Sequence, residues 1–241
     1  MRCLYWFLLL VSFVINAEQL RIVSSEFVPH NGEHLPQQGY AIELVRQIFA
    51  LEQQKVRFEF LPWPRALKQA KDGEAVAIVS LWYDKARAEY LHYPTPLYQN
   101  IVRFYHHTRQ PIHFQQLSEL NKTKLRLGIV RGYSYHPSLK SAPFTFFEVH
   151  SDLESLKMLA LGRVDLVVME QKVAEYLLAT ELASFQNQIS STGPIFEEKP
   201  MYLAFSKAHP AAAALQQKFE QGMQRLKQQQ RFEPALPKYL P

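Results

Sequence analysis

The chain has 241 residues, 47% hydrophobic and 13% aromatic, with 27 Lys+Arg against 22 Asp+Glu for a net charge of +5. The basic residues are scattered, with no run of five, which argues against a nucleic-acid-binding face. Cys3 is the single cysteine, so disulfides, thiolate metal sites and cysteine nucleophiles are excluded from the chain that follows it.

Met1-Arg2, the apolar run Leu4 to Ile15 and the small residue Ala17 have the layout of a secretory signal peptide, with cleavage expected before Glu18. The apolar run is about 12 residues, too short for a spanning helix. Cleavage leaves Glu18 to Pro241, with 26 basic residues against 22 acidic, a net +4. That length suits one large domain or two lobes of roughly 100 residues each. It is also enough to hold a fold by core burial without disulfides.

Leu20 to Ser24 alternates as a short strand, and Phe27 to Gln38 is a loop rich in Pro, Gly, Asn and His. Tyr40 to Leu51 carries Ile42, Val45, Ile48 and Phe49 at three- and four-residue steps and predicts a helix. Val56 to Phe60 alternates as a strand. Pro64 opens a helix through Lys71, which Gly73 stops. Ala75 to Leu81 is a continuous apolar strand of the doubly buried kind. Strands follow at Ile101 to Tyr105, Leu125 to Val130 and Phe144 to Val149, with a short helix at Phe114 to Leu120. A helix over Leu153 to Leu161 ends at Gly162, a strand covers Val164 to Met169, and Gln171 to Ala183 is helical. Met201 to Phe205 is a strand. Leu215, Phe219, Met223 and Leu226 form one stripe of a long last helix, with Gln228 to Gln230 as its solvated end. This βα alternation predicts an α/β fold with mostly parallel sheets.

Two turns carry the chemistry. Arg87 follows the apolar strand ending at Leu81, and its planar guanidinium matches a carboxylate with two parallel hydrogen bonds. Glu170 ends the second apolar strand, where ligands sit in open α/β sheets and where an acid also favours the start of a helix. A cation from one half and an anion from the other would clamp a zwitterion. His30 and His34 lie in a Gly/Pro loop with no fixed face, so no metal site is expected there. The chain has no Gly-x-Ser-x-Gly, no Walker loop and no His-Glu-x-x-His, and no cofactor is expected.

Five segments in order carry a resemblance. They are Leu20 to Val23 with Gly39-Tyr40-Ala41-Ile42-Glu43-Leu44, Ala75 to Arg87 with Tyr93-Pro94-Thr95-Pro96-Leu97-Tyr98, Leu127 to Ser134, Leu161-Gly162-Arg163-Val164-Asp165, and the final helix running to Lys238-Tyr239. The chain resembles the periplasmic solute-binding proteins of ABC importers, in the family 3 cluster that binds polar amino acids. The resemblance implies a type II periplasmic binding fold, two Rossmann-like lobes joined by two hinge crossings near Gln99-Asn100 and Lys199-Pro200. Lobe one would comprise 18–99 and 200–241, and lobe two 100–199. It further implies a monomer in the periplasm, with a small-molecule ligand and an ABC permease as partners.

By position, the resemblance gives Arg87 the ligand's α-carboxylate and Glu170 its ammonium. Phe27 would lie over the ligand and Trp82 would form a second wall. Ser80 and Ser134 would supply hydroxyls, with backbone donors from Tyr133 and Ser134 after Gly132. Arg65 is a second candidate cation. The chain departs from the family at Ala41 (an aspartate in the family), at Gly73 to Ala77 (Gly-x-x-Asp-Ala), at Trp82 (serine or threonine) and at Glu170 (aspartate). Three functions remain open at this point: solute capture for import, a dehydratase-like enzyme on the same scaffold, and a ligand-sensing module.

Overall fold

The computed structural model describes residues 19–122 and 124–229. The leader, its cleavage point, Gln230 and the Lys238-Tyr239 end lie outside the described residues.

The strands are β1 (Leu20–Ser24), β2 (Val56–Phe60), β3 (Ala77–Trp82), β4 (Leu91–His92), β5 (Tyr98–His107), β6 (Arg126–Val130), β7 (Thr145–Val149), β8 (Leu166–Glu170) and β9 (Ile189–Ser206). They form one sheet in the order β2-β1-β3-β9-β5-β8-β6-β7, with β4 paired to β9. The helices are α1 (Tyr40–Leu51), α2 (Trp63–Asp72), α3 (Pro137–Ser141), α4 (Asp152–Ala160), α5 (Gln171–Ala179) and α6 (Ala212–Gln228). None is long and apolar enough to cross a membrane, among the described residues.

The expectation of mostly parallel sheets needs correction. Each half has a parallel trio, β2-β1-β3 and β8-β6-β7, but the trios are joined by antiparallel β9 and β5. Both strands run longer than their apolar cores predict. β9 reaches back to Ile189 through Gly193-Pro194, where its pairing with β5 is interrupted between Val102 and Phe104. A Gly-Pro pair reads as a turn, whereas here it lies within an irregularity of a single long strand. Two helical expectations also shift. The Phe114 to Leu120 segment forms only a 3-10 turn at Leu117–Lys122, and α5 ends at Ala179 instead of Ala183.

In the first half, α1 and α6 share one face of the sheet, and their core includes Ile22, Ile48, Phe49, Phe205 and the whole predicted α6 stripe. Phe219 meets Phe49 and Phe205 at 6.1 and 5.8 Å. α2 covers a second core with Ala66, Ala70, Ile78 and Leu81, and Gly73 ends it in the left-handed conformation that residues with a side chain rarely adopt. In the second half, α4 and α5 bury Leu156, Leu159, Val173 and Leu177 against β5, β6 and β8. Asp165 of the Gly-Arg-Val-Asp turn holds Arg126, with Oδ1 to Nη2 at 2.7 Å and Oδ2 to the backbone amide at 2.7 Å. That turn thereby fixes β6 beside β8. The missing cap at Ala41 is tolerated: α1 opens from Gly39 without a side-chain cap, and the Ala41 amide donates instead to the His30 carbonyl at 2.8 Å.

Candidate functional site

A narrow cleft opens between the halves, beside the crossing strands, lined by Phe27, Ser80, Trp82, Arg87, Tyr133 and Ser134 together with Ser25, Trp63, Leu81 and Met201. Six of the eight sequence-predicted residues therefore meet at one place. Glu170 and Arg65 do not line it.

β3 positions the first-half residues. Its pairing with β9 slips between Val79 and Leu81, and Ser80 between them has φ +62°. A non-glycine residue in that region costs on the order of 1–3 kcal/mol, and such strain clusters at ligand sites. The bulge turns Ser80 toward the cleft, and Trp82 follows with its indole N–H donating to Asn100 Oδ1 at 3.2 Å.

Arg87 sits on a short 3-10 turn (Arg87–Glu89) and is only 8% exposed. Its Nη2 donates to the Gly132 carbonyl at 2.6 Å and its Nη1 to the Trp82 carbonyl at 3.5 Å. The guanidinium carbon lies 5.4 Å from the Trp63 ring centroid. Among the described residues its guanidinium hydrogen bonds go to carbonyls and none to a carboxylate. Asp84 is near but committed: Oδ1 accepts from the Arg87 amide at 3.1 Å and Oδ2 from Ser134 Oγ at 2.9 Å. Burial works against its ionisation, but the Ser134 hydroxyl, the Arg87 amide and the charge of the Arg87 guanidinium together hold its carboxyl below the usual range.

The second half contributes the Gly132-Tyr133-Ser134 turn after β6, with Gly132 at φ +78°. Its Gly132 carbonyl also accepts from Trp63 Nε1 at 3.1 Å. Tyr133 packs edge-on against Phe27, Trp63 and Trp82 at 6.3, 6.1 and 5.7 Å, while its hydroxyl donates to Asp152 Oδ2 at 2.7 Å.

Glu170 is 2% exposed, at the end of β8. Its Oε2 accepts from the Val173 amide at 2.8 Å, capping α5, and lies 2.9 Å from His30 Nε2. His30, 1% exposed, stacks between Phe27 and Tyr98 with centroids at 4.8 and 5.6 Å, and its Nδ1 faces the Tyr98 and Tyr40 hydroxyls. Arg65 is exposed on α2.

Sequence reasoning missed His30, Tyr98, Asn100, Lys199 and the part played by Trp63. Lys199, on β9, directs Nζ to the Ser134 carbonyl at 2.6 Å and lies 4.8 Å from the Trp82 ring centroid. Burial lowers the pKa of its ammonium, against the pull of Glu197. The one available signal was that Asn100 and Lys199 stand at the expected crossings; they prove to be direct partners in the β5–β9 register.

Two α/β halves joined by paired crossing strands, with a polar and aromatic cleft beside the crossing, define a type II periplasmic binding protein. The chain belongs to the bacterial extracellular solute-binding proteins, family 3, whose sequence profile matches residues 22–241. Similar solved structures include a histidine kinase sensor domain with similarity to periplasmic binding proteins (16% identity, TM-score 0.79, covering 92% of this chain and 96% of that one). They also include the periplasmic binding protein of an arginine transport system from Legionella pneumophila (16%, 0.75, 92% and 99%) and an ancestral arginine-binding protein bound to arginine (18%, 0.76, 92% and 97%). No curated protein sequence gives a significant match.

Proposed function

We propose that the chain, exported to the periplasm, binds a small carboxylate-bearing solute, an amino acid or close analogue, and delivers it to an ABC importer. Arg87 carries this reading: a buried guanidinium that lines an aromatic cleft, with its hydrogen bonds among the described residues going only to carbonyls, is a seat for a carboxylate. Phe27, Trp82 and Tyr133 wall the ligand, and Ser80 and Ser134 offer hydroxyls. Residues 18–99 with 200–241 close against 100–199 about the paired Gln99–Pro200 and Asn100–Lys199 positions. The protein acts as a monomer.

The test is a thermal-shift screen of the mature protein, stripped of co-purified ligand, against amino acids, small peptides, polyamines and di- and tricarboxylates. A ligand at 100 times its Kd stabilises the native state by about 2.7 kcal/mol and raises the melting point. Arg87→Ala should abolish the shift while leaving the ligand-free melt cooperative. Retained affinity in that variant sinks the assignment. Turnover of the bound acid would favour the dehydratase-like alternative. Growth on the ligand that does not depend on this chain would remove the importer role.

A further inference from the structure

The second anchor of the expected clamp is occupied by the protein itself. Glu170 is a carboxylate acceptor, so the 2.9 Å contact requires the hydrogen to sit on His30 Nε2. The Nε2–H tautomer then leaves Nδ1 free to accept from a tyrosine hydroxyl, and Tyr98 and Tyr40 both face it. The Val173 amide, at the start of the nine-residue helix α5, donates to the same oxygen at 2.8 Å, so that oxygen takes two hydrogen bonds from the chain itself. Phe27 lies flat on the imidazole, 4.8 Å away at 19°, and lines the cleft, whereas His30 and Glu170 do not. The Phe27 ring thus lies on the imidazole and faces the cleft, while the Glu170 carboxylate lies behind the contact it makes to His30.

The cleft lining confirms the imbalance. Among the described residues the lining around Arg87 holds that one formal cation and no carboxylate, while Glu26 and Glu33 line the adjoining depression that shares Ser25, Trp63 and Tyr133. Asp84, which feels the Arg87 charge, directs its oxygens to Ser134 and to the Arg87 amide. The rest of the wall is aromatic or apolar apart from serine hydroxyls. An ammonium group buried beside Arg87 would lose its water and meet a second cation with no carboxylate in that lining.

We propose that the ligand carries a carboxylate and no ammonium: an aryl- or alkyl-carboxylic acid, the des-amino counterpart of an apolar amino acid. His30 is the specificity-determining residue, because it holds Glu170 away from the ligand. This rests on the reading above that Arg87 seats a carboxylate.

The test uses matched probes on the mature, ligand-stripped protein, by calorimetry: 3-phenylpropionate against L-phenylalanine and phenethylamine, and 4-methylpentanoate against L-leucine. The acids should bind at least tenfold tighter than their amino acids, and the amine should not bind. His30→Ala should narrow that ratio by tenfold or more, by releasing Glu170. His30→Asn serves if the alanine variant does not fold, and the wild-type ratios stand without either. An amino acid that binds as tightly as its des-amino partner overturns the inference and leaves the Arg87 seat intact. Failure of both acids to bind, while the wider screen finds another ligand, also overturns it. A blank wide screen removes the functional reading as well.

Discussion

Asp152 should make the protein less stable as the pH rises, and Asp152→Asn should remove that loss. The residue opens α4, is 7% exposed, and accepts the Tyr133 hydroxyl at 2.7 Å. Burial, opposed by that hydrogen bond and reinforced by the Glu170 charge, pushes its pKa up from 3.8 to about 6. The folded state therefore holds a proton that the unfolded chain has already released between those values. Stability must fall as pH rises through that window and stay flat above it. At 1.36 kcal/mol per unit, the penalty at pH 7.5 is about 2–3 kcal/mol. Asparagine keeps an oxygen for Tyr133 and cannot ionise. In urea melts of the mature protein, the variant should be more stable than wild type by about 2–3 kcal/mol at pH 7.5, and by less than about 1 kcal/mol at pH 4. A difference that does not change with pH, or a variant weaker at pH 7.5, would refute the buried-acid account.

Gly222→Ala should destabilise the α1–α6 contact: a Cβ there stands 2.3 Å from the Ile48 carbonyl oxygen, a backbone atom that no rotamer change can move. Alanine gains about 1 kcal/mol in helix propensity, but overpacking outweighs it, for a net loss of about 1–3 kcal/mol in urea melts. An unchanged or higher midpoint contradicts this. Asp165→Asn should cost about 1 kcal/mol at pH 7, discounted because Arg126 is partly exposed. The Arg126 hydrogen bond, outweighing burial, holds the Asp165 carboxyl below its usual range, so its stabilisation is present above pH 4 and lost as pH falls further. The gap between variant and wild type should narrow as the pH falls below about 4, and a constant gap would count against the pairing.

Much of this was legible in the sequence because it depends on local rules. The α6 stripe, the Gly73 stop, the doubly buried β3 and the Arg87 turn each follow from period or capping chemistry within a dozen residues. What was not legible depends on long-range pairing. The β5–β9 ladder joins residues about a hundred positions apart, and its Gly-Pro irregularity imitates a turn. His30 was dismissed because a Gly/Pro loop gives a histidine no fixed face. The loop is in fact pinned, by Phe27 and Asn31 bridging each other and by Asn31 Nδ2 donating to Ser24 Oγ at 2.9 Å, and so it holds the imbalance-setting imidazole in place.

The contacts that hold the halves together explain what a ligand must do. The Gly132 carbonyl takes the Arg87 and Trp63 donors, Ser134 binds Asp84 and Lys199, and Tyr133 fills the space between Phe27, Trp63 and Trp82. One turn of the second half thus satisfies the groups of the first half that a ligand would use. A carboxylate at Arg87 replaces a neutral acceptor with a charged one, and charge-assisted hydrogen bonds are roughly twice as strong. Affinity depends only on the difference between ligand contacts and these self-contacts, because a ligand that merely matched them would shift no equilibrium. On the proposed reading selectivity would follow from the same comparison: Arg87 would offer a carboxylate a gain over a carbonyl, whereas Glu170 already accepts from His30 and Val173.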